Sequence, residues 1–168
     1  MSGRKRTILL VGGCGSGKTW VMKRLIKRFG LKIKGKLGMF VFQTDEKIAV
    51  MGNYNGSMFE GSDKLSMAVM RDCSMLKEFQ NKRDMTIVCE GDRFTNSTFI
   101  KAFDPFIIKI MNDGSEGRQL RGSNQSARHI QAIQTRVDNT IHNYEVLDSL
   151  EALKIISAFH ASDLIWKE

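Results

Sequence analysis

Gly12-Gly13-Cys14-Gly15-Ser16-Gly17-Lys18-Thr19 follows the apolar run Ile8-Leu9-Leu10-Val11 and leads into Trp20-Val21-Met22-Lys23-Arg24-Leu25-Ile26. This order reads as strand, glycine-rich loop and helix, and the octet fits G-x-x-x-x-G-K-[ST], the phosphate-binding P-loop pattern. The spacing has a mechanical reason. Successive backbone N–H groups must curl around a phosphate with no Cβ atoms in the way, which requires glycines. The helix that follows aims the positive end of its dipole at the same anion. Lys18 can then reach the β- and γ-phosphates, and the Thr19 hydroxyl can ligate Mg²⁺. The expectation is a site for a nucleoside triphosphate and Mg²⁺ formed by Gly12, Gly13, Cys14, Gly15, Ser16, Gly17, Lys18 and Thr19.

Outward from this stretch, strand and helix patterns alternate. Thr7 to Val11 reads as a central parallel strand buried on both faces. The helix is expected from about Gly17 to Phe29, with Gly30 at its C-terminal end. Leu37 to Gln43 and Lys47 to Met51 are short β-type runs around Thr44-Asp45-Glu46, which suggests a hairpin. After the turn-rich Gly52 to Ser57, a helix is expected to open at Ser62 or Asp63 and run to about Gln80. Met85 to Cys89 is the next strand, Asn96 to Ala102 a short helix stopped at Asp104-Pro105, and Phe106 to Met111 a further strand. Asn112 to Gln125 is polar and glycine-rich, and a helix with Ile130, Ile133, Val137 and Ile141 on one face follows. Tyr144 to Leu147 closes the strand series, and Asp148 or Ser149 caps a last helix to about Phe159. The fold class predicted is α/β: a three-layer sandwich around a mostly parallel sheet. It forms a single domain over residues 1–168, with a lid at about 112–128.

Composition narrows the class. The 168 residues suffice for one domain with a real core, and no apolar run approaches the roughly 20 residues of a membrane span. No signal peptide is visible, because the first apolar run is the loop's own strand. Cys14, Cys73 and Cys89 form no metal-like spacing, and an odd count fits reduced thiols in a cytoplasmic protein. Net charge is +8, yet from Met1 to Lys36 there are eleven Lys or Arg and no Asp or Glu, so the rest nets −3. Lys23, Arg24, Lys27 and Arg28 recur at helical spacing, flanked by Arg4, Lys5, Arg6, Lys32, Lys34 and Lys36. A solvated helix face with a basic tail would look like this. So would a surface that neutralises the phosphates of DNA or RNA.

The remaining chemistry clusters after strands. Glu90 and Asp92 follow an apolar strand, where a carboxylate is needed to hold Mg²⁺ or its waters beside a P-loop. Arg93 stands next to them, placed to contact a substrate phosphate. Asp63 is either a helix cap or a carboxylate at the cleft, able to accept a proton from a substrate hydroxyl. Arg118, Arg121 and Arg128 lie in or beside the segment where small P-loop kinases place a lid whose arginines close over the transferring phosphoryl group. A GTPase of the common kind would show a guanine-specific Asn-Lys-x-Asp motif, and none is present. Arginines supplied in cis on a short chain favour a phosphotransferase over a motor subunit.

With these residues assembled, the sequence resembles the bacteriophage-encoded P-loop kinases of DNA base hypermodification, the 5-hydroxymethyluracil DNA kinases. The resemblance rests on Gly12 to Thr19, on Gly52-Asn53-Tyr54 with Phe59 to Ser66, on Glu90-Gly91-Asp92-Arg93, and on Arg118 to Arg128 with Asn124-Gln125-Ser126. It implies ATP-dependent phosphorylation of the 5-hydroxymethyl oxygen of pyrimidines already in DNA, in the cytoplasm of an infected bacterial cell. Asp63 would then be the base on that hydroxyl. Glu90 or Asp92 would complete the Mg²⁺ site, and Arg118, Arg121 and Arg128 would stabilise transferred charge. The target base would have to leave the helix stack, and Tyr54 or Phe59 could stack on it, although both are equally suited to the core. The alternatives are a deoxynucleoside or deoxynucleotide kinase using free substrate, and an ATPase that serves as a binding module.

Overall fold

A computed structural model describes residues 6–54, 61, 68–112, 114–121 and 126–161. One seven-stranded sheet organises them, in the order β2-β3-β4-β5-β1-β6-β7. The strands are β1 (Thr7–Val11), β2 (Ile33–Leu37), β3 (Phe40–Thr44), β4 (Ile48–Met51), β5 (Thr86–Glu90), β6 (Phe106–Ile110) and β7 (Tyr144–Val146). From β4 to β7 every pairing is parallel, whereas β2-β3 and β3-β4 are antiparallel. β1 and β5 are buried at every position, as strands covered on both faces must be.

Helices cover both faces in three layers. On one face α1 (Lys18–Arg28) and α6 (Ser149–Ala161) pack on Ile8, Leu10, Val50, Val88 and Ile108. On the other, α2 (Cys73–Arg83), α3 (Ser97–Phe103) and α5 (Ala127–Asn139) enclose Leu9, Val11, Ile87, Cys89 and a run of phenylalanines. The even-numbered residues of β1 and β5 serve the first core and the odd-numbered ones the second, as a two-residue period dictates. Phe94 meets Phe99 edge-on at 5.0 Å, and Phe99 stacks on Phe103 at 4.5 Å.

The ends of the helices follow local chemistry. α1 ends at Gly30, whose φ of 61° lets its amide reach the Lys27 carbonyl while the Leu31 amide reaches Ile26. The Asn96 side chain accepts from the Thr98 amide at the start of α3. Asp148 accepts from the Glu151 amide, and the Glu151 carboxylate in turn accepts from the Leu147 amide.

Three expectations need correction. The run from Leu37 to Gln43 is not one strand: Gly38 and Met39 turn the chain, which adds β2 as an edge strand. The helix expected from Asp63 is not continuous through Gln80, because a 3-10 turn at Val69–Asp72 precedes α2. Its Asp72 carboxylate accepts from the Met39 amide at 2.7 Å and so anchors the β2-β3 turn instead of capping a helix. Ile141 lies beyond the end of α5 and is 90% exposed, since Thr140 is extended.

Candidate functional site

The glycine-rich loop leaves the carboxyl end of β1 where the topology splits. The chain after β1 crosses through α1 to the edge strand β2 on one side, and the chain after β6 crosses to β7 on the other. Open α/β sheets form their ligand crevice at such a point. The segment after β6 packs directly on the loop. Asn112 donates to the Ser16 carbonyl at 3.4 Å and accepts from the Gly114 amide at 3.0 Å. Gly114 then leads into α4 (Ser115–Arg121), whose Arg118 donates to the Cys14 carbonyl at 2.6 Å. A Cβ on Gly114 would overlap the Cys14 carbonyl, and one on Gly117 would overlap the Gly15 carbonyl. The expected arginine-rich loop is therefore helical over Ser115–Arg121 and fits backbone to backbone against the glycine loop.

Within the loop, Gly15 and Gly17 adopt φ of 82° and 99°. Their amides find no acceptor among the described residues. Lys18 donates to the Gly12 and Gly13 carbonyls at 2.8 and 3.0 Å, so its ammonium is folded over the loop. The Ser16 hydroxyl is buried and has no partner among the described residues, a costly arrangement that a phosphate oxygen would relieve. The N-terminal residue of α6, Ser149, closes the other side: a Cβ on Gly17 would come within 2.7 Å of its Cβ.

Glu90 ends β5, and its backbone pairs with Leu10, two residues before the loop. It is 4% exposed and accepts from the Tyr54 hydroxyl at 3.3 Å. Gly61 closes over this carboxylate: it pairs with Asn53, and a Cβ on it would meet Glu90 Oε1 at 2.7 Å. Asp92 goes elsewhere. It accepts from Arg136 Nε of α5 at 2.7 Å and from the Thr95 hydroxyl at 3.4 Å. Gly91, with φ of 88°, breaks the strand alternation and sends the two carboxylates to different surroundings.

Arg93 is half-buried. Its Nε is out of reach of water and without a hydrogen-bond partner among the described residues. Arg128 is exposed on the first turn of α5, and no described contact ties it to the loop. Arg121 ends α4, and its backbone alone is described. Asp63 and Phe59 lie outside the described residues, though Gly61, two positions before Asp63, is beside Glu90.

Thr19, in the first turn of α1, and Glu90, at the end of β5, carry the hard oxygen donors that Mg²⁺ takes. Among the described residues no three His, Cys, Asp or Glu side chains gather as a self-sufficient metal cage. All three cysteines are buried, and burial first, then the charge of Glu90, push the Cys89 thiol well above its ordinary value.

Sequence reasoning missed three links: the docking of α4, the Tyr54–Glu90 bond, and the Arg136–Asp92 pair. Only the first left a sequence signal, in the spacing of Gly114 and Gly117. No protein-family model, curated protein or solved structure matches the chain.

Proposed function

We propose that this chain is an ATP-dependent kinase that phosphorylates the hydroxymethyl group of 5-hydroxymethyluracil, or of a related hydroxymethylpyrimidine, in DNA. One observation supports phosphoryl transfer above all. The glycine loop with Lys18, the buried carboxylate of Glu90 and the guanidinium of Arg118 converge on one end of the sheet. Phosphoryl transfer needs little covalent help from a protein. It needs a cradle, charge neutralisation and an aligned acceptor, and these three parts match the first two needs.

In this reading the loop amides and Lys18 hold the triphosphate, and Ser16 gives its unpaired hydroxyl to a phosphate oxygen. Thr19 and Glu90 hold Mg²⁺, which when bound neutralises charge on the β- and γ-phosphates. Arg118 is fixed against the loop by the Cys14 carbonyl and faces the charge that develops during transfer. Arg121 and Arg128 would add to it. The acceptor hydroxyl gives its proton to Asp63 as its oxygen takes the γ-phosphoryl group and ADP leaves. Arg93, next to Asp92 and half-buried, would offer its guanidinium to a phosphate of the acceptor strand. DNA as the acceptor and its hydroxymethylated base come from the family resemblance. The concentration of positive charge before Lys36 agrees with a polyanionic substrate.

Asp63→Asn tests the base directly. The expected result is a loss of about a hundredfold or more in turnover with unchanged thermal stability. A loss confined to stability would make Asp63 a helix cap and leave the reaction without its base.

A further inference from the structure

We infer that one face of the sheet is a docking surface for a nucleic-acid backbone, built from the outer side of α1 together with the edge strand β2. This rests on the proposed polymer substrate and specifies where the polymer lies.

The argument starts from register. In β2 and β3, Leu37 stands opposite Phe40 and Gly35 opposite Phe42. Directly opposed residues point to the same side, and Phe40 and Phe42 belong to the core beneath α2 and α3. Lys34 and Lys36, one residue out of phase, therefore point to the face that carries α1. There α1 presents Trp20, Lys23, Arg24, Lys27 and Arg28 outward, all exposed, while Val21, Met22 and Leu25 are buried beneath them. The α1 side chains form a stripe along two turns, about 12 Å at 1.5 Å per residue. Arg24 lies over the Trp20 ring at 5.3 Å, which holds its guanidinium at the surface.

Charge balance separates this face from the other. Neither α1 nor β2 contains an acidic residue. Among the described residues no salt bridge ties Arg24, Lys27, Arg28, Lys34 or Lys36 to a carboxylate. On the opposite side several cations are paired: Lys82 with Glu78, Arg136 with Asp92, Lys109 with Asp138 and Arg6 with Asp84. A surface built from α1 and β2, with cations and no carboxylate of its own, is complementary to a polyanion. The outer positions of α1 include a single apolar side chain, Trp20, so the stripe lacks the apolar side that a membrane-surface helix inserts. Phosphate contacts of this kind position a strand without reading its sequence. Because α1 begins at Lys18, the stripe starts at the mouth of the glycine loop.

The test is the salt dependence of binding to a DNA oligonucleotide, single-stranded and duplex, without ATP. The quadruple variant Lys27→Gln/Arg28→Gln/Lys34→Gln/Lys36→Gln changes exposed positions only. Its slope of log K against log salt should be shallower by about 2.8 on single strands or about 3.6 on duplex, at about 0.7 or 0.9 per phosphate released. The control Lys82→Gln/Lys101→Gln, on the opposite helices, should leave the slope unchanged. An unaltered slope in the quadruple variant would overturn the surface. So would an equal effect per charge in the control, or a loss of binding to anionic vesicles with DNA binding intact. The assay involves no phosphoryl transfer. A chain that binds DNA this way but transfers no phosphate would sink the kinase reading alone, and a kinase with an unaltered slope would sink the surface alone.

Discussion

At the scale of single residues, the informative contrast is between Glu90 and Asp92. Both follow the same apolar strand, two positions apart, and strand periodicity alone would put them on one side. The residue between them decides otherwise. Gly91 takes a left-handed φ of 88°, so Glu90 turns to Tyr54 and the loop side while Asp92 pairs with Arg136. Sequence cannot separate them, because nothing in a Glu-Gly-Asp string reports which backbone angle the glycine will take. Glu90→Gln should weaken Mg²⁺-dependent transfer by about tenfold to a hundredfold, read as a Mg²⁺ titration of the rate. Asp92→Asn disturbs a partly exposed ion pair worth about 0–1 kcal/mol and should leave that titration near the parent curve. The reverse ranking would move the metal-side role to Asp92.

At the scale of elements, the loop and α4 behave as one unit. Segment 112–121 reads as a mobile loop in sequence because Gly114 and Gly117 carry low helix propensity and polar residues surround them. Tertiary packing overrides that preference: the glycines are what allow α4 to touch the backbone of the loop. Gly114→Ala should therefore lower stability by roughly 1–3 kcal/mol and weaken ATP binding, measured by calorimetry on the same sample. Gly30→Ala is the comparison, with a similar positive φ of 61° but nothing within 4 Å of the added methyl. It should cost stability without changing ATP affinity. Equal effects on ATP binding would mean that the α4 contact does not shape the loop. The edge strand β2 was hidden for a different reason. Ile-Lys-Gly-Lys-Leu has its inward positions filled by an exposed isoleucine, a glycine and a half-covered leucine, so its alternation carries little apolar contrast. The buried strands β1, β5 and β6 were legible because burial on both faces leaves an apolar stretch in each, residues 8–11, 87–89 and 106–108.

For the whole molecule, the sheet holds the site by rigidity. The strand order puts β1 between β5 and β6, so the glycine loop, Glu90 and the α4 segment share the carboxyl end of one sheet. The phenylalanine cluster under α3 fills the core on that face of the sheet. Phe99, fully buried between Phe94 and Phe103, is its centre. Phe99→Ala should cost about 3–5 kcal/mol and lower Tm by roughly 6–20 °C in a thermal melt of a chain this size. A drop of only a degree or two would mean that the second core layer contributes little. No helix among the described residues is long and apolar enough to cross a membrane.

The most direct test of the central claim is transfer of labelled γ-phosphate from ATP to DNA containing 5-hydroxymethyluracil. The parallel acceptors are DNA containing 5-hydroxymethylcytosine, unmodified DNA, and the matching free nucleosides and nucleotides. The account predicts label on hydroxymethylated DNA and none on unmodified DNA, with transfer abolished in a folded Lys18→Ala variant. Label on free nucleosides or nucleotides alone would contradict it and make the chain a metabolite kinase. ATP hydrolysis at the same rate with or without any acceptor would contradict the kinase reading itself.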